Sequence, residues 1–269
     1  MNPRLHALLR RCTPPALRHY VRRARTALRP PTMTDGIGRG LRFDPGSSNP
    51  EYGRGSNELP VQDAFARHVR KGDVVFDVGA NVGFFSIIAA KLTGPSGSVV
   101  AFEPVHQNAG LIRRNASLNG MLNVSVIEKA VAESAGTGEL VLAQYSGGAA
   151  LSTATRPPDS TGSIEVDIIS IDGVVATGEV PVPQVVKIDV EGAELAVLRG
   201  MRETLGRDRP IVICEIDDAT RTGFDRKYEA CVDFLQELAY AITPLEDSYS
   251  KDRWIVGHFV ATPPLGDTS

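Results

Sequence analysis

The chain has 269 residues, of which 42% are hydrophobic and 23% are charged, as expected for a globular protein with one substantial core. Its formal net charge is only −3, but residues 1–34 contain eight arginines and no acidic residue, so the remainder is acidic. An acidic body argues against nucleic acid as the main substrate, because binding phosphate groups requires a basic surface.

The basic tail, residues 1–31, is predicted to contain an amphipathic helix, because apolar residues recur at helical spacing with arginines between them. Such a helix can lie on an anionic membrane surface, or it can dock on the domain or on a partner subunit. Both alternatives stay open. Arg10-Arg11 and Pro14-Pro15 argue against a signal peptide, and no stretch approaches the roughly 20 apolar residues that span a bilayer. We expect a cytoplasmic protein, with peripheral contact to the inner membrane face if the tail binds lipid.

A segment rich in glycine, proline, serine and asparagine follows the tail at residues 32–57. This composition predicts a linker or an ordered loop at the mouth of a site. We expect the folded domain to occupy residues 58–269, beginning with a short helix whose apolar face includes Val61, Phe65 and Val69.

A strand and a glycine turn come next. The apolar run 74–78 contains Asp77 and is followed by Gly79 and Gly83, which predicts a buried strand, a tight turn and a helix. Glycines allow a ligand to approach the backbone, and N–H groups at the start of a helix point toward the same space. The spacing matches neither the dinucleotide fingerprint, because Asn81 replaces its middle glycine, nor a phosphate-binding P-loop. An acid before the turn would repel a pyrophosphate but would suit a ligand with an ammonium group, such as S-adenosylmethionine. The alternative interpretation is a glycine-rich turn that binds no ligand.

The second predicted strand, residues 98–102, ends in Glu103-Pro104. A carboxylate in this position can accept hydrogen bonds from two ribose hydroxyls, and it can also cap the helix predicted at about 106–119. Asn108 in the first turn of that helix is near enough to touch a ribose or adenine, although capping is an equally good role for it. Together, Asp77 and Glu103 favour a cofactor site over an empty turn.

These residues resemble the FkbM family of S-adenosylmethionine-dependent methyltransferases. The resemblance covers roughly residues 58–215 and rests on F-D-V-G-A-N-V-G at 76–83, F-E-P at 102–104, Ala130-Val131 and K-I-D-V-E-G-A-E at 187–194. It implies S-adenosyl-L-methionine as cofactor and a hydroxyl of a sugar, glycolipid or polyketide-type molecule as acceptor. It also implies an upstream acid near the cofactor, for which Glu58 is the matching residue. The cofactor site implied in this way comprises Asp77, Gly79, Ala80, Asn81, Gly83, Phe84, Glu103, Pro104, Asn108, Ala130 and Asp189.

Predicted strands and helices continue to alternate in the second half of the domain. After a third strand at 123–127, two extra strands at 139–143 and 164–171 flank a long polar loop, residues 147–163, which we interpret as a substrate lid or specificity loop. The remaining predicted elements are a strand at 185–188, a helix at 193–205, a strand at 210–214 with Glu215 and Asp217 at its tip, a helix around 228–238, and strands at 240–245 and 254–261.

The catalytic candidates follow the later strands. A sugar hydroxyl is a poor nucleophile and must lose its proton as it attacks, so a carboxylate base is expected, with Glu191, Asp189 and Glu215 as candidates. Asp189 and Glu215 could instead hold Mg²⁺, which prefers oxygen ligands. His258 ranks third, because a histidine within an apolar strand is more often structural. The choice between base and metal stays open.

The alternating elements predict a doubly wound α/β fold, a mostly parallel seven-stranded Rossmann-like methyltransferase sheet with a final antiparallel hairpin. Three widely spaced cysteines without a C-x-x-C pair fit a reducing compartment. Two other functions compete with methyl transfer: a nicotinamide-dependent oxidoreductase, disfavoured by Asn81, and a non-catalytic cofactor-binding or membrane-associated protein. The oligomeric state is not predicted.

Overall fold

Strands and helices alternate from residue 59 onward in the computed structural model, which describes residues 30–143, 150–151, 160–248 and 255–264. The predicted tail helix and most of the predicted lid loop lie outside these residues. No helix in the described ranges has the length and apolar character needed to cross a membrane. The helices are α1 Leu59–His68, α2 Phe84–Thr93, α3 His106–Leu118, α4 Ile171–Ala176, α5 Glu194–Arg199, α6 Arg202–Arg207 and α7 Arg221–Glu237.

The main sheet has seven strands in the order β10-β11-β9-β8-β1-β2-β3. Only β11 runs antiparallel to its neighbours, as the predicted terminal hairpin requires. The α/β fold with a mostly parallel, seven-stranded Rossmann-like sheet is therefore confirmed. Its strands are β1 Val74–Val78, β2 Ser98–Phe102, β3 Val124–Ile127, β8 Val185–Ile188, β9 Ile211–Asp218, β10 Ala241–Pro244 and β11 Ile255–Thr262.

Both faces of this sheet are covered, which explains why its central strands are continuously apolar. Successive side chains point to opposite faces, so Val75 packs with α1 and α2, whereas Phe76 packs with α5, α6 and α7. The same alternation places Val185 in the core on the side of Val75, and Val186 in the core on the side of Phe76. The sheet is thereby held rigidly between two cores, and its carboxyl edge is left for a site.

The extra strands predicted in the middle of the chain form a separate four-stranded sheet in the order β4-β7-β5-β6. It contains β4 Ala130–Val131, β5 Gly136–Ala143, β6 Ala150–Leu151 and β7 Ser160–Ile169. Because β4 follows β3 directly and pairs with β7, this small sheet continues from the end of the main sheet.

The glycine-rich segment 32–57 packs on the domain. Phe43 is fully buried, and Asp44 accepts a hydrogen bond from the Arg114 guanidinium at 3.0 Å. The backbone N–H of Asp44 donates to the Asn115 side chain at 2.7 Å. These contacts hold the loop against α3 and bring Tyr52, further along it, to the site described below.

Several predictions about element boundaries were wrong. The loop expected at 147–163 contains β6 and the first four residues of β7, because both strands pair with β5. The strand expected at 164–171 ends at residue 169, and residue 171 begins α4. The single helix expected at 193–205 is two helices, α5 and α6, because the Gly200 carbonyl accepts the Asp172 N–H and the Asp172 carboxylate accepts the N–H groups of Glu203 and Thr204 at the start of α6. The strand expected at 210–214 continues to residue 218, so Glu215 lies within β9 instead of at its tip. Pairing with β11 supplies the additional backbone partners.

Candidate functional site

A cavity of about 240 Å³ opens at the carboxyl edge of the main sheet. In open α/β sheets this edge is where ligands bind, because several strand ends and their loops meet there. Among the described residues, the cavity wall includes nine of the predicted site residues: Gly79, Asn81, Glu103, Pro104, Asn108, Ala130, Asp189, Glu191 and Glu215. All three predicted catalytic residues thus share one cavity with most of the predicted cofactor residues.

The turn after β1 is held in shape by Gly79. Its φ of +80° lies in the left-handed region, and a Cβ added there would lie 1.7 Å from the backbone oxygen of Asp189. The N–H groups of Gly79 and Ala80 donate to the Phe102 carbonyl at 3.0 and 3.1 Å. The turn therefore joins the ends of β1, β2 and β8 through backbone contacts that only glycine permits.

Four predicted cofactor residues do not line the cavity in the structure: Asp77, Ala80, Gly83 and Phe84. Asp77 is only 1% exposed, and one of its oxygens accepts the Ser86 hydroxyl at 2.5 Å. Burial raises the pKa of Asp77, and the nearby Lys187 ammonium opposes this rise. Phe84 stacks on Tyr52 at 4.9 Å between ring centroids, so it supports the wall from behind.

Glu103 lies at the rim, directly after β2. It accepts hydrogen bonds from the N–H groups of Asn81 and Val105 at 2.8 and 2.9 Å and from the Asn108 amide at 3.3 Å. Burial raises the pKa of Glu103 to about 7, although these donors favour the ionised form. Asn81 adopts φ +50°, and its side-chain oxygen is buried without a hydrogen-bond partner among the described residues. Both side chains therefore offer acceptor oxygens to a ligand that carries hydroxyl or ammonium donors.

Lys187 is the buried cation behind this wall. It is 3% exposed, its Nζ lies 2.8 Å from Asp189 Oδ2, and it sits 4.9 Å above the Phe85 ring. Burial alone would lower the pKa of Lys187, but the surrounding carboxylates, Asp189 and Asp77 foremost, outweigh it and keep the pKa above its usual value. The sequence carries one signal that could have identified this role, a single lysine in an otherwise apolar strand.

A second buried group joins β9, β11 and the start of α1. His258 Nε2 lies 2.6 Å from Glu215 Oε2 and 3.7 Å from Glu58 Oε2. Burial would lower the pKa of His258, but the hydrogen bond to Glu215 and the negative charge of Glu58 raise it to about 10. Burial, together with Asp189 and Glu58, raises the pKa of Glu215 to about 8. The potential ligand atoms of Glu58, Glu215 and His258 all lie within 4.8 Å of one another, which is close enough to hold a metal ion.

Glu191 faces the same cavity from the turn after β8. Its φ of +54° is unusual for a residue other than glycine, and burial together with Asp217 raises its pKa well above the usual value. Glu194 is instead buried and accepts the Gly192 N–H at 2.8 Å, so its carboxylate is engaged by the turn before α5. Of these two acids, only Glu191 is placed to contact a substrate.

The cavity is also lined by residues outside the predicted set. Tyr52, Leu140 and Val190 are among them. Tyr52 belongs to the loop segment and Leu140 to the small sheet, so each reaches the site only through long-range packing. Neither residue stands in a motif, and the sequence offers no local signal for them.

The chain matches known proteins over most of this region. A family model described as "Methyltransferase FkbM domain" matches residues 77–242. The chain is 30% identical over 192 residues to hexuronic acid methyltransferase AglP of Haloferax volcanii, covering 70% of this chain and 76% of that protein. It is 28% identical over 191 residues to 31-O-demethyl-FK506 methyltransferase FkbM of Streptomyces tacrolimicus, covering 60% and 73%. The solved structure of Methyltransferase FkbM from Methylobacillus flagellatus is similar with a TM-score of 0.49 and 15% identity, and the match covers 80% of this chain and 56% of that one.

Proposed function

The chain belongs to the FkbM family of S-adenosyl-L-methionine-dependent methyltransferases, and we propose that it methylates a hydroxyl of a sugar, glycolipid or polyketide-type acceptor. Membership of this family argues against the two competing functions, which were a nicotinamide-dependent oxidoreductase and a non-catalytic cofactor-binding protein. The names of the two relatives, which specify hexuronic acid and 31-O-demethyl-FK506, support the acceptor class.

The cavity fits the methyl donor. S-adenosyl-L-methionine combines ribose hydroxyls with an ammonium group and supplies an electrophilic methyl group when bound. Glu103 offers a carboxylate at the rim, and the buried side-chain oxygen of Asn81 lacks a partner among the described residues. These acceptors suit the donor groups of the cofactor, and the acid-rich wall suits its positive charge.

One observation carries the proposal of oxygen as the methylated atom: three carboxylates, Asp189, Glu191 and Glu215, face one cavity. A neutral hydroxyl needs a base, and a carboxylate whose pKa is raised toward neutrality is better matched to that task. Burial raises the pKa of both Glu191 and Glu215. Asp189 instead forms an ion pair with the Lys187 ammonium group. We therefore assign proton acceptance to Glu191 or Glu215 and a positioning role to the Lys187–Asp189 pair.

An acceptor screen tests this function. The full-length protein is incubated with methyl-labelled S-adenosyl-L-methionine and with hexuronic acids, neutral sugars, glycolipids and hydroxylated polyketides, and products are identified by mass spectrometry. We expect a methyl ether on one acceptor class. Donor binding without an ether product on any class, or methyl transfer to nitrogen or carbon, would contradict the proposal.

A further inference from the structure

Three potential metal ligands from distant parts of the chain meet beside the cavity, and two of them, Glu58 and Glu215, line its wall. Glu58 directly precedes α1, Glu215 lies in β9, and His258 lies opposite Glu215 in β11. The His258 Nε2 atom faces both carboxylates, at 2.6 Å from Glu215 and 3.7 Å from Glu58. Metal bonds of about 2.1 Å separate neighbouring ligand atoms by roughly 3 to 3.5 Å, and the two observed distances bracket this range.

The burial of this cluster distinguishes it from the acidic groups that are common on protein surfaces. His258 is 3% exposed and Glu58 is 7% exposed, while the Glu215 side chain keeps 14% of its surface open toward the cavity. Two carboxylates removed from water are costly unless a cation compensates them. His258 supplies one positive charge when it is protonated, whereas a divalent ion would supply two.

The ligands are also held in place by their surroundings. The Asn57 amide donates to Glu58 Oε1 at 2.5 Å, which leaves Oε2 as the oxygen that faces His258. Glu215 and His258 are held opposite each other by the pairing of β9 with β11. Such outer contacts orient metal ligands in known sites.

We infer that Glu58, Glu215 and His258 bind a divalent transition-metal ion such as Mn²⁺ at the wall of the cavity. Two carboxylate oxygens and one imidazole nitrogen suit such an ion better than they suit Mg²⁺ or Ca²⁺, which favour oxygen ligands alone. Three protein ligands leave coordination positions open toward the cavity, as in catalytic metal sites. This site differs from the Asp189–Glu215 magnesium pair that the sequence left open as an alternative to a carboxylate base, because Asp189 is engaged by Lys187.

The role of the ion rests on the proposed function, although its binding does not. An ion held here can take the oxygen of an acceptor hydroxyl into an open position and lower the pKa of that hydroxyl. The proton then passes to another carboxylate of the cavity, for which Glu191 is placed. Glu215 serves in this arrangement as a metal ligand and no longer as the base.

Metal titration tests the inference directly. Chelator-treated full-length protein is titrated with Mn²⁺, and free Mn²⁺ is followed by electron paramagnetic resonance. We expect one ion per chain and a signal from a directly bound nitrogen in pulsed spectra. His258→Gln should abolish the nitrogen signal, and both His258→Gln and Glu58→Gln should weaken binding at least roughly tenfold. His106→Gln is the matched control, because His106 also lies 2.6 Å from a glutamate, Glu128, but on the surface and outside the cavity.

Two results would overturn the inference: no stoichiometric binding of Mn²⁺ or Zn²⁺ by the unaltered protein, or equal binding in the Glu58 and His258 variants. If His258→Gln does not fold, the nitrogen signal of the unaltered protein and the affinity of Glu58→Gln decide the question. Methyl transfer is assayed separately, with and without chelator. If the unaltered protein binds no metal but transfers methyl groups at full rate, the metal site is rejected and the proposed function stands. If it binds metal but methylates no acceptor, the metal site stands and the proposed function is rejected.

Discussion

At the scale of single residues, buried charge determines the properties of the site. Lys187 is enclosed within the sheet and is the compensating cation for Asp189 and Asp77. Removing one partner of such a group leaves the other charges buried and uncompensated, which costs more than the pair itself contributes. The site therefore depends for its stability on a residue that does not line the cavity.

Lys187→Met is expected to lower the free energy of unfolding by about 3 to 5 kcal/mol, measured by urea denaturation. Arg202→Met provides the control, because the ion pair between Arg202 and Glu237 is exposed and should contribute less than about 1 kcal/mol. Equal losses in both variants would show that Lys187 is not an essential counter-charge.

Glu103 should make donor binding depend on pH. Because burial raises its pKa to about 7, the carboxyl group is mostly protonated at about pH 6 and mostly ionised at about pH 8. Ribose hydroxyls donate more strongly to the ionised form, so the affinity for S-adenosyl-L-methionine should rise with pH across this range. The measurement is isothermal titration calorimetry.

The Glu103→Gln variant isolates this contribution from other titrating groups, such as Glu215. We expect its affinity to be lower and to change less with pH, since an amide does not titrate. The same pH dependence in the variant and in the unaltered protein would assign the effect to another residue.

At the scale of elements, the sequence predicted those parts of the site that depend on local patterns. The turn from Gly79 to Gly83 and the acid after β2 each depend on consecutive residues, and both are present as predicted. Within the turn, however, Ala80 and Gly83 do not line the cavity. The group of Glu58, Glu215 and His258 was not predictable as a group, because it depends on the register between β9 and β11. Strand register is a tertiary property that a single sequence does not display.

The interruption between α5 and α6 has the same kind of cause. The pattern of apolar residues favours one helix, but the chain at Ala132 approaches Gly200 so closely that a Cβ at residue 200 would lie 2.1 Å from the Ala132 carbonyl oxygen. This contact, and the capping of α6 by Asp172, outweigh helix propensity.

Gly200→Ala should therefore destabilise the fold by about 1 to 3 kcal/mol, because backbone must move to admit the methyl group. Gly206→Ala is the matched control. Gly206 lies within α6, and nothing is found within 4 Å of an added Cβ, so the change should stabilise the protein by about 0.5 to 1 kcal/mol. Thermal unfolding of the two variants measures both effects, and a neutral or stabilising effect at residue 200 would contradict this explanation.

At the scale of the whole molecule, the main sheet brings acids from separate strands to one edge, and the small sheet contributes residues to the cavity wall. Glu103 and Asp189 directly follow β2 and β8, and Glu215 lies in β9, whereas Ala130 and Leu140 come from β4 and β5. The acidic cavity and the basic tail lie in different parts of the chain. The tail lies largely outside the described residues, and its membrane contact stays a prediction.

Deleting residues 1–29 tests that prediction and leaves intact the segment in which the Pro31 carbonyl accepts the Phe43 N–H. We expect the full chain, but not the truncated protein, to sediment with vesicles that contain anionic lipid. Both proteins should unfold at similar temperatures. Equal vesicle binding by the two would assign the tail to docking on the domain or on a partner subunit.

The most direct test of the central claim compares methyl transfer with donor binding in Glu191→Gln and Glu215→Gln. Both side chains face the cavity that is assigned to the donor and the acceptor. We expect at least one variant to lose roughly 100-fold or more in turnover, while its affinity for S-adenosyl-L-methionine stays near that of the unaltered protein. Unaltered turnover in both variants would contradict the assignment of this cavity as the site of methyl transfer.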